Sequence, residues 1–361
     1  MNGLGRWVGI RSRLLGILRE LVEPASRCAL LGFPRYGNVG DSAIWLGVRA
    51  LLGELGVEVV YTADHHDFSA EALAARLPSG TILLTGGGNL GDLWPSHQRA
   101  RERAISAFPG HRIIQLPQSV HFGDPADLHR ARAVFDAHPD LVLLLRDERS
   151  LRLARRAFRA PSVLAPDCAF AMNGLPRLVR PERRILWLRR GDHESAAHGE
   201  PDNAGPVAAV GVYRTDWTGE EGADAAWATS ARTVRRQIEA ASAAVRSTAS
   251  SEAVAELTDA QDRHAELQLR RGCRLLGSAE AVVTDRLHGH LLSLLLGLPH
   301  VVVDDRHGKI SGYWQTWEHD RHRAVARRAP DADQALRTAA ALLAAPATPR
   351  PARESRPVDT P

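Results

Sequence analysis

Lysine is almost absent from this sequence of 361 residues. The chain contains 46 basic residues, and Lys309 is the single lysine among them. A chain that uses arginine for nearly all of its positive charge has little reason to keep a lysine where charge alone matters. The lysine ammonium is compact, carries three rotatable donors and can lose its proton. Lys309 is therefore a candidate for chemistry, and the alternative is an exposed lysine retained by chance.

Other absences exclude whole classes of function. The three cysteines lie far apart without C-x-x-C spacing, which argues against a disulfide framework or a zinc site and favours a reducing, cytoplasmic location. No metal-ligand spacing and no G-x-x-x-x-G-K-[ST] loop occurs, so we expect neither a metal nor nucleoside triphosphate chemistry. The net charge is only +4, and no basic run is interleaved with aromatic residues, which argues against nucleic-acid binding.

Residues 1–22 carry leucines and arginines at near-helical spacing, which predicts an amphipathic N-terminal helix. No stretch of the chain reaches the roughly 18 uninterrupted apolar residues of a transmembrane helix. The amphipathic helix can lie on an anionic membrane surface, which would place the protein peripherally at the inner face of the plasma membrane. It can equally dock its apolar face on the domain behind it. The pattern does not distinguish the two.

The length of the chain predicts two domains. Strand-like and helical patterns alternate through the first half, which indicates a doubly wound, mostly parallel α/β sheet. The strand-like runs are Cys28–Phe33, Val57–Tyr61, Thr81–Thr85, Arg112–Leu116 and Leu141–Leu145. Two prolines, Pro176 and Pro181, mark a boundary. We therefore predict domains over residues 23–178 and 179–345, followed by a tail over residues 346–361 that is too poor in apolar residues to fold.

The second domain is predicted to open with the strand Arg184–Leu188, which carries Arg189 and Arg190 at its carboxyl end. The segment Ala196–Gly222 is rich in glycine, alanine and acidic residues, and we predict mostly surface loop there. Helical patterns follow at Ala225–Arg246, Glu252–Leu276 and Ala332–Ala345.

The most informative stretch of the second domain is a strand–helix–strand unit. Ala281–Val283 predicts a buried strand, Leu291–Leu296 a helix, and His300–Val303 the next strand. Three basic groups fall at the carboxyl edge of the first strand, namely Arg286, His288 and His290. Ligands of open α/β sheets bind at that edge, so the three groups predict a site for an anion and for proton transfer. The alternative is that they only cap and solvate the start of a helix.

Two glycine-rich turns in the first domain are predicted to form a cradle for a ligand. In the first, Gly37 and Gly40 allow close approach of the backbone beside Asn38, and Asp41 stands where a helix cap belongs. An ordinary cap is the alternative for Asp41.

The second turn contains Gly87, Gly88 and Asn89 and formally spells G-x-G-x-x-G. A dinucleotide site is not expected, because the next strand has no acidic residue at its end where a ribose contact would lie. The pair Trp94–Pro95 also argues against a long helix after this turn.

Several motifs together resemble the polysaccharide pyruvyltransferase family. They are GNVGDSAIWLG, GGGNLGDLWPSHQ, LPQSVHF, the pair Arg146–Asp147, PDCAF, TDRLHGH and HGKISGYWQTW, spread over residues 35 to 317. The resemblance implies two Rossmann-like domains facing across a cleft, as in the GT-B-like fold. It also implies phosphoenolpyruvate as donor and a sugar of a cell-surface polysaccharide, or of its lipid-linked precursor, as acceptor. The product would be a pyruvate ketal, formed without a cofactor.

In this interpretation the first domain holds the acceptor and the second holds phosphoenolpyruvate. Forming a ketal needs a cationic cradle for the donor, an acid that protonates the enol carbon, and a base that takes protons from the sugar hydroxyls. Our candidate acid is His288, with the alternative that it only binds phosphate. Candidates for handling the acceptor are Asp41 and Asp92. The predicted substrate-binding residues are Arg286, Arg189, Arg190, Lys309, His290, Asn38, Gly87, Gly88 and Asn89.

Two other functions remain open from the sequence. A glycosyltransferase of the same architecture would use the cationic edge for a nucleotide-sugar diphosphate, and the absence of an acidic ribose-binding residue argues against it. A non-enzymatic scaffold for envelope assembly at the membrane surface would rest on the N-terminal helix alone.

Overall fold

The computed structural model describes residues 8–196, 211–219, 223–247, 250–317 and 325–344. These residues form two parallel β-sheets surrounded by helices, which confirms the predicted α/β class. The predicted tail over residues 346–361 lies outside the described residues.

The first sheet has seven strands, all paired in parallel. They are β1 (Arg27–Leu31), β2 (Glu58–Ala63), β3 (Thr81–Leu84), β4 (Gly87–Gly91), β5 (Arg112–His121), β6 (Leu141–Leu145) and β7 (Ser162–Leu164). Their order is β2-β1-β3-β5-β6-β7, with β4 paired to β5 outside this path. The order changes direction between β1 and β3, and ligands of such sheets bind at the strand ends beside that point.

Six α-helices connect these strands and precede them. They are α1 (Val8–Leu21), α2 (Val39–Glu54), α3 (Ala70–Arg76), α4 (Pro95–Ala107), α5 (Pro125–Ala137) and α6 (Glu148–Ala157). The expectation of no long helix after Trp94–Pro95 is wrong, because α4 runs for 13 residues from that proline. A proline at the first helical position breaks no hydrogen bond, since the N–H groups there have no partner within the helix.

The second sheet has five strands, also parallel. They are β8 (Arg183–Leu188), β9 (Val212–Thr215), β10 (Ala279–Thr284), β11 (His300–Val302) and β12 (Ala326–Arg328), in the order β12-β11-β10-β8-β9. The strand β9 lies inside the predicted loop Ala196–Gly222, so that prediction is wrong for these four residues. Residues 197–210 and 220–222 of the loop lie outside the described residues. The order turns between β8 and β10, which places a second ligand edge there.

The helices of this half are α7 (Ala225–Ser247), α8 (Ser251–Gly277), α9 (Leu287–Leu296), α10 (Lys309–Trp317) and α11 (Ala332–Ala344). The pair α7 and α8 does not follow the predicted boundary at residue 178. Ile238 and Leu257 are buried in the core of the first sheet, whereas Leu276, near the end of α8, is buried with the second sheet. A helix of 27 residues is about 40 Å long, which is enough to reach from one core to the other.

The N-terminal helix α1 docks on the protein through its apolar face. Leu14, Leu15 and Leu18 are at most 6% exposed and belong to the core of the first sheet. Of the two predicted alternatives, the structure therefore shows docking, because these leucines are already covered by protein. Among the residues that the structure describes, no helix combines the length and apolarity needed to cross a membrane.

Candidate active site

A cavity of about 300 Å³ lies where loops from both sheets meet. Its walls come from strand β4 and from the segments that follow β1, β4, β6, β8, β9, β10 and β11. The lining residues are Tyr36, Gly37, Asn38, Asp41, Gly88, Asn89, Trp94, His97, Arg146, Arg190, Asp192, Glu194, Trp217, Thr218, Arg286, Leu287, His288 and Lys309. The cavity therefore lies at the carboxyl edges of parallel strands, where the sequence predicted a ligand site.

His288 lies in the first turn of α9 and points into the cavity with only 8% of its surface exposed. Its Nε2 lies 3.4 Å from Oδ2 of Asp167, a fully buried carboxylate. Burial raises the pKa of Asp167, but His288 and Arg146 lower it by more, so it lies well below its usual value. An ionised Asp167 can therefore orient the imidazole and stabilise positive charge on it.

Gly40 makes room for the imidazole. A Cβ atom at residue 40 would overlap both Cγ and Nδ1 of His288. Two atoms cannot share that space, so any larger residue at position 40 must displace the ring. The first glycine-rich turn, which was predicted as a cradle for a ligand, thus contributes space for His288.

If His288 is the predicted acid, Gly40→Ala should lower kcat/KM by at least about tenfold, because small misplacements of a catalytic group are costly. Gly53→Ala is a matched control in the same helix α2, since a Cβ there meets nothing within 4 Å. The control should keep full activity and melt at an equal or higher temperature, because alanine favours the helix more than glycine does. Full activity of the Gly40→Ala protein would show that the position of His288 is not critical.

Arg286 lies just before α9, and its guanidinium forms a bidentate ion pair with Asp216. Its Nη2 donates to Asp216 Oδ2 at 2.6 Å, and its Nε donates to the other oxygen. A second carboxylate, Asp192, lies 3.4 Å from Nη2. The side chain is 4% exposed and faces the cavity, as the sequence predicted for an anion-binding group.

Arg190 and Lys309 share one carboxylate, that of Glu194. Arg190 Nη2 donates to Glu194 Oε1 at 2.8 Å, and Lys309 Nζ donates to Oε2. Lys309 Nζ also donates to the carbonyl oxygen of Gly88 at 3.2 Å, which joins α10 to the second glycine-rich turn. The single lysine of the chain is thus a buried, cavity-lining residue and not an exposed survivor.

Arg146 is a cavity residue that the sequence patterns did not assign to the site. It is 2% exposed, donates from Nη1 to Asp167 at 2.8 Å and from Nε to Ser119 Oγ at 2.9 Å. It directly follows β6, so the rule that ligands meet the carboxyl ends of parallel strands could have identified it. Asp216 directly follows β9 in the same way, but that strand was not predicted from the sequence. Asp167 lies in the quoted PDCAF motif, whereas Glu194 has no comparable local signal.

Asp41, a predicted site residue, also lines the cavity. Its Oδ2 accepts hydrogen bonds from Tyr36 Oη and from Asn38 Nδ2, both at 2.9 Å. Asn38 also caps α2 by accepting from the N–H of Gly40. Burial and the neighbouring Asp41 raise the pKa of Tyr36 well above its usual value, so the phenol stays protonated and donates. Gly88 and Asn89 line the cavity too.

Four predicted site residues do not line the cavity: Asp92, Arg189, His290 and Gly87. Asp92 instead accepts hydrogen bonds from His121 and from the N–H groups of Gly123 and Asp124, which hold the end of β5. Burial raises its pKa, but these bonds lower it by more, so a carboxylate committed to them is a poor base. The prediction of Asp92 as a catalytic residue is not supported.

Arg189 and His290 face away for reasons of local geometry. Successive residues at a strand end point to opposite sides, so Arg190 enters the cavity while the Arg189 guanidinium lies 5.3 Å from the Trp187 ring. On α9, His290 lies two residues beyond His288 and thus on another face of the helix. It is fully buried, and its Nδ1 lies 2.7 Å from Nε2 of His300. Gly87 adopts a φ of 133°, which suits glycine, and a Cβ atom there would lie 3.5 Å from Oδ1 of Asp41.

Among the described residues, no group of three or more histidine, cysteine, aspartate or glutamate side chains is arranged to hold a metal ion. The ionisable groups that line the cavity are instead four cations, one tyrosine, three carboxylates and two histidines, of which His288 lies beside the buried Asp167. Such a cavity at the edges of two parallel sheets is typical of an α/β protein that binds an anionic ligand.

Comparisons with known proteins identify the family. The family model described as polysaccharide pyruvyl transferase matches residues 38–307. Pyruvyl transferase 1 of Schizosaccharomyces pombe is 34% identical over 310 residues, which are 81% of this chain and 70% of that protein. Putative pyruvyl transferase EpsO of Bacillus subtilis is 27% identical over 323 residues, 88% of this chain and 93% of that protein. The chain belongs to the polysaccharide pyruvyl transferase family, which confirms the resemblance.

A solved structure agrees on the fold. The crystal structure of an uncharacterized protein from Klebsiella pneumoniae has a TM-score of 0.51 with this chain and is 14% identical. The comparison covers 89% of this chain and 98% of that one. At this identity the likeness concerns the α/β fold alone.

Proposed function

We propose that this protein moves the pyruvyl group of phosphoenolpyruvate onto a sugar of a cell-surface polysaccharide or of its lipid-linked precursor. The observation that carries the proposal is the arrangement of His288, backed by Asp167, in a cavity that also presents Arg146, Arg286 and Lys309. A donor with a phosphate and a carboxylate needs several cations, and its enol carbon needs a proton. Both requirements are met within one cavity, in a chain of the matching family.

The cations bind and polarise the donor. Guanidinium groups hold phosphate and carboxylate through paired hydrogen bonds, and an ammonium adds charge at one oxygen. Arg146 approaches the cavity from the first sheet, whereas Arg286, Arg190 and Lys309 approach from the second. The phosphate leaving group gains negative charge as its bond to carbon breaks, so cations placed around it stabilise the transition state.

His288 supplies the proton in this scheme. Protonation of the methylene carbon forms a methyl group and leaves the adjacent carbon electrophilic. One sugar hydroxyl then adds to that carbon, inorganic phosphate leaves, and a second hydroxyl closes the cyclic ketal. Of the two hydroxyl protons released, one replaces the proton given up by His288 and the other leaves with phosphate, so the step balances without an oxidant or a metal.

The acceptor sugar is placed on the wall that carries Asp41. This carboxylate can bind a sugar hydroxyl or accept its proton, since it is held by two neutral donors, Tyr36 and Asn38, and not by a cation. Trp94 and Trp217 also line the cavity and offer apolar ring surface, which sugar-binding pockets combine with a few polar groups.

The proposal predicts a selective thermal shift. Phosphoenolpyruvate at about a hundred times its Kd should stabilise the protein by about 2.7 kcal/mol, whereas nucleotide sugars should leave the melting temperature unchanged. The accompanying assay follows release of inorganic phosphate from phosphoenolpyruvate in the presence of a panel of lipid-linked and free sugars. Stabilisation by a nucleotide sugar with none by phosphoenolpyruvate would replace the proposal with the glycosyltransferase alternative.

A further inference from the structure

Each cation that lines the cavity is already paired with a carboxylate. Arg146 pairs with Asp167, Arg286 with Asp216, Arg190 with Asp192 and Glu194, and Lys309 with Glu194. A buried cation can serve only so many acceptors at once, because each hydrogen bond needs its own donor and direction. An anionic ligand must therefore take donors away from at least one of these carboxylates.

The four carboxylates differ in how firmly they are anchored. Three of them also accept a hydrogen bond from the backbone: Asp167 from Ala169, Asp192 from Glu194, and Asp216 from Gly191 and Trp217. Within the described part of the chain, the Glu194 carboxylate is held by side chains alone. Its donors are Lys309 Nζ, Arg190 Nη2 and Trp94 Nε1, the last at 2.9 Å.

We propose that Glu194 is an internal competitor that occupies the anion site between Lys309 and Arg190 until the donor displaces it. The inference rests on the proposed function only for the identity of the donor. The position of the carboxylate is that of a ligand, since it lines the cavity, is 1% exposed and engages the two cations through both oxygens. Its side chain can leave by rotation about its own bonds, because no backbone group among the described residues holds the carboxylate.

Competition with the Glu194 carboxylate determines which anions bind tightly enough to enter the site. Burial raises the pKa of Glu194, but Lys309 and Arg190 lower it by more, so the group competes as a carboxylate. It is tethered to the site, which gives it a high effective concentration. A free monoanion that replaces it exchanges one carboxylate for another and gains little. A dianionic phosphate brings a second charge to the same two cations and can displace it.

Displacement of the Glu194 carboxylate would also affect Trp94, its hydrogen-bond donor from the first half of the chain. Glu194 belongs to the segment after β8 of the second sheet, whereas Trp94 directly precedes α4, and the hydrogen bond between them joins the two halves of the cavity lining. When the carboxylate leaves, the indole N–H of Trp94 becomes available to a sugar hydroxyl. Donor binding is thereby expected to prepare the acceptor wall.

The test compares Glu194→Gln with wild-type protein in titrations with inorganic phosphate and with pyruvate, followed by calorimetry. The amide keeps the size of the side chain but loses its charge, so both anions should bind about tenfold tighter, a gain of about 1.4 kcal/mol. Pyruvate, too weak to displace the wild-type carboxylate, should become a measurable ligand. Glu256→Gln, on the exposed face of α8, is the matched control and should bind both anions as wild type does.

Unchanged or weaker binding of phosphate to the Glu194→Gln protein would overturn the inference and show that Glu194 orients Lys309 and Arg190. Neither titration requires turnover. If no sugar accepts a pyruvyl group but phosphate binds the variant more tightly, the proposed function fails and the inference stands. If the wild-type protein turns over but the variant binds phosphate more weakly, the proposed function stands and the inference fails.

A second measurement, on the wild-type protein, tests the inference in case the Glu194→Gln protein does not fold. Lys309 is the only lysine in the sequence, so biosynthetic incorporation of lysine labelled with ¹³C at Cε labels one side chain and leaves its ammonium unmodified. In the labelled wild-type protein, phosphate should shift the Lys309 resonance at concentrations at which acetate does not. If saturating phosphate raises the melting temperature but does not shift the Lys309 resonance, the anion binds elsewhere and the inference is overturned.

Discussion

His288→Gln should lower kcat on the order of a hundredfold or more and change donor affinity little. Glutamine keeps a polar side chain of similar reach but cannot give a proton to carbon. His288 is proposed to act mainly in the transition state, when the methylene carbon takes the proton, so its loss should appear in kcat rather than in KM. Asp167 Oδ2 lies 3.4 Å from Nε2 of His288, so this carboxylate can hold the imidazole in a fixed orientation.

The measurement is a steady-state titration of phosphoenolpyruvate with phosphate release as the signal, combined with a direct binding assay. His129→Gln is the matched control, since His129 lies on α5, away from the cavity. A raised KM with an intact kcat would identify His288 as a phosphate ligand. Lys309, which lines the same cavity, would then be the next candidate for the acid.

Arg146→Met should destabilise the protein by about 3–5 kcal/mol, because it leaves a fully buried carboxylate without its cation. Arg146 and Asp167 are 2% and 0% exposed, so water cannot replace the lost partner. Ser119 loses a donor in the same change. Urea denaturation measures the loss, and the double variant Arg146→Met/Asp167→Asn should recover part of it by removing the uncompensated charge.

The pH dependence gives a second readout of the same pair. The folded-state pKa of Asp167 is held below its unfolded value, so the stability contributed by the pair is present at neutral pH. It is lost as the pH falls below about 4, the usual range for an aspartate, and through the folded pKa. The deficit of Arg146→Met relative to wild type should therefore shrink on acidification below that range. A deficit that stays constant down to the lowest folded pH would contradict the assigned role of the pair.

An exposed arginine–glutamate pair provides the control for the urea denaturation and for its pH dependence. Arg152 forms a surface pair with Glu148 on α6, with an N–O distance of 3.9 Å and 62% of its side chain exposed. Arg152→Met removes the same charge where solvent screens it, so the free energy of unfolding should change by less than about 1 kcal/mol.

Much of the fold follows from local sequence patterns. The strand–helix–strand unit from residue 279 to residue 302 is where the apolar runs predicted it, because a buried strand, an apolar helix and a glycine stop each depend on neighbouring residues. Parallel strands align their carboxyl ends at one edge, so the same patterns brought Arg286, His288 and Lys309 to one cavity.

The structure differs from the predicted site where the direction of a side chain depends on its surroundings. Arg189 and Arg190 are adjacent in sequence, and only the alternation of the strand end decides which one faces the ligand. His290 shares a motif with His288 but packs inside against His300. A division of the chain after residue 178 does not describe α7 and α8, because their apolar faces fit either core by composition and the docking of helices is decided by shape.

The sequence by itself determined the α/β class and the family, because these depend on periodicity and on short motifs. Only the tertiary structure decided which carboxylate meets each cation. Lys309 and Glu194 are 115 residues apart, and Asp167 meets His288 from the other half of the chain. Such pairs produce no periodic pattern in the sequence, since they form between loops that the packing of the two sheets brings together. The charge balance of the cavity, and with it the competition proposed for Glu194, is therefore a property of the folded chain.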